Sequence, residues 1–137
     1  FLKWFEETQP TVLVINQVGI LADLYAGAQF AFVGNSFVRD KIHSVMEPLA
    51  AGCLTFVGPK HRNNREAISF QKETIQELNL SPVQVVKNSE DFTRIISNIS
   101  RSELPKFRVA LKSFIEQKTG ASERLSTYVL QHYFQNR

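Results

Sequence analysis

A chain of 137 residues has the length of one domain, and with 43% hydrophobic residues, 11 Phe and 21% charged residues it can bury a real core, which excludes a disordered tail or a coiled coil. The formal net charge of +3 and a sequence pI near 9.2 come from Lys and Arg scattered singly among Asp and Glu, so charge alone does not argue for nucleic acid. One cysteine, Cys53, excludes an internal disulfide; Asp23, Gln29, Asn35 and Arg39 interrupt the most hydrophobic third, so no transmembrane helix or signal peptide is expected, and the missing initial Met reads as a piece cut from a longer protein.

The opening FLKWFEET places Phe1, Trp4 and Phe5 on one face and predicts a helix. TVLVIN (11–16) predicts the first strand, and GILADLYAGA after it has helical spacing. QFAFVG (29–34) predicts the second strand. It leaves into Gly34-Asn35-Ser36, residue types that a turn needs, and whose backbone N–H groups and hydroxyl equally suit an anion. HSVMEPLAAG predicts a helix and CLTFVG (53–58) the third strand, with Cys53 read as a small core residue in preference to a nucleophile. KHRNNRE (60–66) is a basic loop, either solvated or a grip on an acidic ligand.

NREAISFQKETIQELN carries helical spacing and ends before Pro82; VQVVK (83–87) predicts the fourth strand. Asn88 or Ser89 can cap the next helix, whose Phe92, Ile95, Ile96 and Ile99 form an i, i+3, i+4, i+7 stripe. Leu104, Phe107, Leu111, Phe114 and Ile115 mark an amphipathic helix that Gly120 can stop, and Leu125, Tyr128, Val129 and Tyr133 mark another.

Short, near-continuous apolar strands alternating with helices predict an α/β fold: a Rossmann-like parallel sheet of about four strands with helices on both faces and a carboxyl-terminal helical tail. The whole of 1–137 is read as one domain, with 1–103 its α/β part and 104–137 the tail. Two strands end in Phe-Val-Gly, at Gly34 and Gly58, and ligands of open α/β sheets bind beyond the carboxyl ends of strands.

Glu47 stands alone in an apolar segment, directly before Pro48. Ser44-Val-Met-Glu47 fits a capping box, the Ser hydroxyl accepting from the N–H three residues on and the Glu reaching back, with Pro48 harmless in the first turn. The other reading has a carboxylate at a helix start accepting hydrogen bonds from the vicinal hydroxyls of a nucleotide ribose, while the free N–H groups of that helix face a phosphate. His43 and His61 have no partners at metal-ligand spacing, and no metal site is expected. There is no Walker-type loop, G-x-G-x-x-G, nucleophile elbow or C-x-x-C.

Taken in order, these segments resemble the carboxyl-terminal, nucleotide-sugar-binding half of the 3-deoxy-D-manno-octulosonic acid (Kdo) transferases, lipid A glycosyltransferases of two-domain GT-B fold. The resemblance runs from Val12 to about Leu78 and more loosely to Arg124. VGILADLYAGAQFAFVGNSF is similar to the family's G-E-L-x-x-x-Y-x-x-A-D-x-x-F-V-G-G-S, and IHSVMEPLAAG to its G-G-H-N-x-x-E-P-A-A-x-G. FVGP with Asn63 or Asn64 and Glu66 is similar to G-P-x-x-x-N-F-x-E, and GASERL to a late G-A-x-x-R.

The resemblance implies CMP-Kdo as donor substrate, no separate cofactor, lipid A precursor as acceptor, and transfer with inversion, in lipopolysaccharide biosynthesis. It implies a substrate-binding set in which Gly34 and Ser36, with Asn35 between them, present the phosphate loop, His43 faces the donor, Ser44 stands where the family has Asn, Glu47 holds the ribose, and Asn63 or Asn64 borders the pocket; Lys41, which departs from the pattern, either supplies a cation to the donor's phosphate or carboxylate or fills the site. No catalytic residue is expected in this chain, because the general base and acceptor surface belong to an amino-terminal domain. The resemblance places the parent protein at the cytoplasmic face of the bacterial inner membrane, with the fragment itself soluble and inactive alone. Departures stand at Asn16 for Asp, Ile20 for Glu, Asn35 for Gly and Lys41-Ile42 for Gly-Gly. They keep a second reading open, a degenerate GT-B half acting as a scaffold or interaction module. An unrelated flavodoxin-like α/β domain is the third.

Overall fold

The computed structural model describes residues 12–134. The helix expected over FLKWFEET lies outside the described residues, as does Thr11 of the expected first strand. In chain order the elements are α1 (Leu21–Gly27), β1 (Phe30–Val33), α2 (Met46–Ala50), β2 (Leu54–Val57), α3 (Arg65–Phe70), β3 (Val83–Val85), α4 (Ser89–Ser97), α5 (Leu104–Lys118) and α6 (Ala121–Val129), then a π-helical turn over Leu130–Phe134.

β2 and β3 are each reached through a helical crossover, which is what parallel pairing demands, and the sheet is parallel with order β1-β2-β3. Phe30 stands opposite Leu54 and Val33 opposite Val57, while Thr55 stands opposite Val83. All of β2, the central strand, is buried, so both its faces are covered. Phe92 of α4 sits edge-on against Phe56 with ring centroids 4.7 Å apart, and Phe107, Leu111 and Ile115 of α5 enter the core with Val45 and Leu49. Asn88 caps α4, its Oδ1 accepting from Asp91 N–H at 2.9 Å. The Lys87 amide and then the Arg94 guanidinium donate to Asp91 and hold its carboxyl below the usual range.

Among the described residues the sheet has three strands instead of about four. Val12–Asn16 form no strand, and Val12 and Val14 are 76% and 84% exposed. β-Branched composition favours extended chain, but a strand exists only against a partner, and none of the described residues pairs with this segment. Along β1 burial alternates with the pleat: Ala31 and Val33 are buried while Phe32, on the other face, is exposed.

The helix expected over 64–79 stops at Phe70. Ile75 is buried in the core and donates its N–H to Leu80 O at 2.9 Å, and Asn79 takes a left-handed φ of +49°, so a compact turn replaces the later helical turns. The helix expected over HSVMEPLAAG is likewise short, ending before Gly52, whose φ of +85° is left-handed. A Cβ at Gly52 would also come within 2.8 Å of Arg108 Cγ.

That closeness matters because Arg108 of α5 fastens α1. Its Nη1 and Nη2 donate to the Ala26 and Ala28 carbonyls, each at 2.6 Å, satisfying carbonyls at the end of a short helix. The Cys53 thiol sits beside the same segment, 3.3 Å from both Tyr25 O and Ala28 O. Burial pushes its pKa up, against the opposing Arg108 and Lys112 charges.

Leu111→Ala, emptying a fully buried position, is expected to lower unfolding free energy in urea titration by about 2–5 kcal/mol, whereas Leu125→Ala on the exposed face of α6 changes it by under about 0.5 kcal/mol. Cys53 is expected to resist thiol reagents in the native chain and to react only as denaturant opens the fold, checked by following labelling against unfolding.

Candidate functional site

The carboxyl ends of β1 and β2 open into two long connections, 34–45 and 58–64, which are bound to one another. The anchor is Ser36, fully buried. Its Oγ donates to Val33 O at 3.2 Å and accepts from Gly58 N–H at 2.6 Å, joining the exits of the two strands. Lys60 N–H donates to Ser36 O at 2.8 Å, and Lys60 Nζ donates to Val38 O at 3.3 Å. Gly58 is required by this proximity, since a Cβ there would fall 2.8 Å from Ser36 O and 2.9 Å from its carbonyl carbon.

Asn35 takes a left-handed φ of +73°, a conformation that costs glycine nothing and asparagine little. Its Nδ2 donates to Lys41 O at 2.8 Å, folding the connection back on itself. The Cβ that Asn adds in place of glycine is therefore accommodated, and the side chain is spent on the loop. Ser44 Oγ accepts from Met46 N–H at 3.1 Å. The capping box expected around Ser44 and Glu47 is not formed as such: the hydroxyl serves the amide two residues on, and among the described residues Glu47 makes no side-chain hydrogen bond. Glu47 is exposed in the first turn of α2.

Asn64 caps α3, its Oδ1 accepting from Ala67 N–H at 2.8 Å, while its Nδ2 donates to His43 O at 3.1 Å. It ties the start of α3 to the approach to α2. His61 is buried, with Nδ1 2.8 Å from Gly58 O and Nε2 3.0 Å from the Gln71 side chain. Both ring nitrogens are thereby occupied within the fold.

These bonds bring the expected residues to one end of the sheet and divide them. Gly34, Lys41, His43, Ser44, Glu47 and Asn63 have exposed side chains or backbone; Asn64 is half-buried; Ser36 is interior. The Ser36 hydroxyl has both its donor and an acceptor position engaged and holds the loop together, leaving backbone N–H groups as the donors the turn can offer. Tyr25 of α1 was not among the expected residues. It is half-buried, and its phenol is pushed above its ordinary value by burial and then by the charge of Glu47 and Cys53. The signal for it was its place in the GILADLYAG block, seven-residue helix α1 presenting it toward α2.

A cavity of about 650 Å³ lies elsewhere, between the 77–80 turn, β3, α4 and the start of α5, and includes none of the expected residues. Among the described residues no cluster of three or more His, Cys, Asp or Glu could hold a metal ion, and no helix is long and apolar enough to cross a membrane.

Over 72 residues, 52% of this chain, the sequence is 32% identical to the 3-deoxy-D-manno-octulosonic acid transferase of Aquifex aeolicus (strain VF5). The matched stretch spans 20% of that relative's length. No family model matches the chain. No solved structure matches it either. The similarity suggests the Kdo transferase family and supports a glycosyltransferase-like function.

Ser36→Ala is expected to strand the buried Gly58 N–H and lower stability by about 1–3 kcal/mol. Gly58→Ala, which drives a Cβ into the Ser36 backbone, is expected to cost a similar ~1–3 kcal/mol. Thermal unfolding of both variants, with Gly34→Ala as the control whose Cβ meets open space, checks the pair.

Proposed function

We propose that this chain is the donor-binding part of a Kdo-transferase-like glycosyltransferase, and that the loops beyond β1 and β2 hold the nucleotide of CMP-Kdo. What supports this above all is the coincidence of the sequence similarity with an exposed carboxylate, Glu47, standing beside the bound-together loops where the sheet's strands end. Glu47 accepts from the ribose hydroxyls. Backbone N–H groups at Gly34 and Asn35 and at the start of α2 face the phosphate, and Lys41 and His43 flank it, with Asn63 at the rim. Ser36 and Asn64 act through the loops they hold and do not touch the ligand.

In such a site the departing CMP phosphate gains negative charge as the sugar leaves, and prepositioned N–H donors stabilise that charge. The acceptor, lipid A precursor, and the general base belong to a domain outside this chain, with the parent protein at the inner face of the bacterial inner membrane. Alone, the chain binds donor and does not turn it over.

A second reading, a scaffold that has lost donor recognition, draws on one observation: the hydroxyl and the amide of the anion loop, at Ser36 and Asn35, are both consumed by internal bonds. Titrating CMP into labelled protein and following backbone amide shifts distinguishes the two. Donor binding predicts shifts confined to Gly34–Ser36 and His43–Glu47, and Glu47→Ala weakens binding by roughly 10-fold or more, the worth of a hydrogen bond to a charged group. Unmoved amides at millimolar CMP favour the scaffold.

A further inference from the structure

The basic loop 58–64 enters the donor site described above only through Asn63 and through the bonds that hold it. His61 is buried with both ring nitrogens occupied, and Lys60 Nζ is engaged by the Val38 carbonyl. Arg62 is the cation of the loop that remains. Its side chain is exposed, and among the described residues it makes no ion pair and no hydrogen bond. The loop is tied down on both sides of it. Two residues earlier, Lys60 N–H donates to Ser36 O at 2.8 Å; two residues later, Asn64 Nδ2 donates to His43 O at 3.1 Å. Both ties end on the 34–45 connection, and two residues of chain reach at most about 7 Å, so Arg62 is kept beside that connection. Arg65, the first residue of α3, lies outside the two ties.

Kdo is a keto sugar acid. In CMP-Kdo its carboxylate is bonded to the anomeric carbon that carries the phosphate ester, so the donor presents two anions side by side. The groups assigned to the donor above meet the ribose hydroxyls and the phosphate and leave the carboxylate without a partner. A carboxylate taken out of water without one is costly, and the exposed Asp40 and Glu47 on the neighbouring segment add like charge.

We propose that Arg62 is the specificity-determining residue of the donor site, its guanidinium taking the carboxylate of the sugar acid; this rests on the donor-binding reading above. The planar fork of an arginine matches a carboxylate with two parallel N–H donors, a fit that an ammonium lacks. Because the carboxylate sits next to the phosphate in the donor, its partner has to come from a segment fastened to the phosphate-facing connection. Lys60 and Asn64 supply that fastening from either side of Arg62. A neutral sugar on the same nucleotide brings no anion to this position and leaves Arg62 unused, so the residue separates sugar acids from neutral sugars by the difference between the two affinities.

Amide-shift titrations of the 137-residue chain with CMP and with CMP-Kdo, run side by side, test this. Arg62→Ala is expected to weaken CMP-Kdo by about 10-fold or more, the worth of a hydrogen bond to a charged group. The same variant weakens CMP by under about 2-fold, since an exposed charge out of contact is screened. Arg62→Lys keeps the charge without the fork and recovers part of the CMP-Kdo loss. Both variants keep the native circular dichroism, because the side chain holds nothing in the fold. Equal weakening of the two ligands, which would put the arginine on the phosphate, overturns the proposal, and so does unchanged CMP-Kdo binding; in either case the donor-binding reading stands. Amides unmoved by both ligands at millimolar concentration overturn that reading and this proposal together.

Discussion

The end of the sheet where β1 and β2 exit depends on one hydroxyl in the interior. Ser36 Oγ bridges the last residue of β1 and the first residue beyond β2, and the burial of that bridge makes it costly to break, since a stranded N–H would have no water to turn to. Everything downstream takes its position from that bridge. The Lys60 backbone follows through its bond to Ser36 O, and Gly58 anchors the His61 ring. Asn64, the last residue of that loop, then fixes the backbone leading into α2. A chain of short bonds thus carries the geometry from the sheet to the carboxylate of Glu47.

The elements that could be read from sequence are those whose cause is local. Asn88 three residues before Asp91, followed by the Phe92-Ile95-Ile96-Ile99 stripe, specifies α4 by cap and period together; the helix forms over Ser89–Ser97, and Ile99 packs on the core from just beyond its end. The apolar runs of β1, β2 and β3 were legible because each has partners on hand. TVLVIN has the same composition, yet its described residues form no strand, because pairing is a property of two segments and only one of them is visible in a local pattern. The helix expected over 64–79 failed for the converse reason. Its period continues past Phe70, but burial of Ile75 with its bond to Leu80 outweighs another helical turn.

At the site, sequence located the end of the sheet and could not assign the work. Gly34-Asn35-Ser36 reads as one polar turn, while in the fold Asn35 points along the loop, Ser36 points inward and only the backbone remains outward. Which hydroxyl faces the interior depends on Gly58, twenty-two positions away, and no spacing rule reports that. Asn35 shows the limit of residue-by-residue comparison as well. Asn35 holds a left-handed φ that glycine adopts at no cost and asparagine at little, so asparagine there changes the chemistry of the loop without requiring another backbone conformation. Tyr25 stands twenty-two positions from Glu47 in the sequence, and its exposure to that carboxylate's charge arises only in the fold, where α1 and α2 meet.

The Arg108 guanidinium bears on how the molecule comes into being. It holds carbonyls made 82 and 80 residues earlier, so a ribosome releases α1 long before the side chain that secures it exists. During synthesis α1, seven residues long and too brief to persist unaided in water, has to wait. Its final setting therefore waits for α5, and a polypeptide shortened ahead of α5 would carry the whole of 34–64 while lacking the clasp that secures the flank before it.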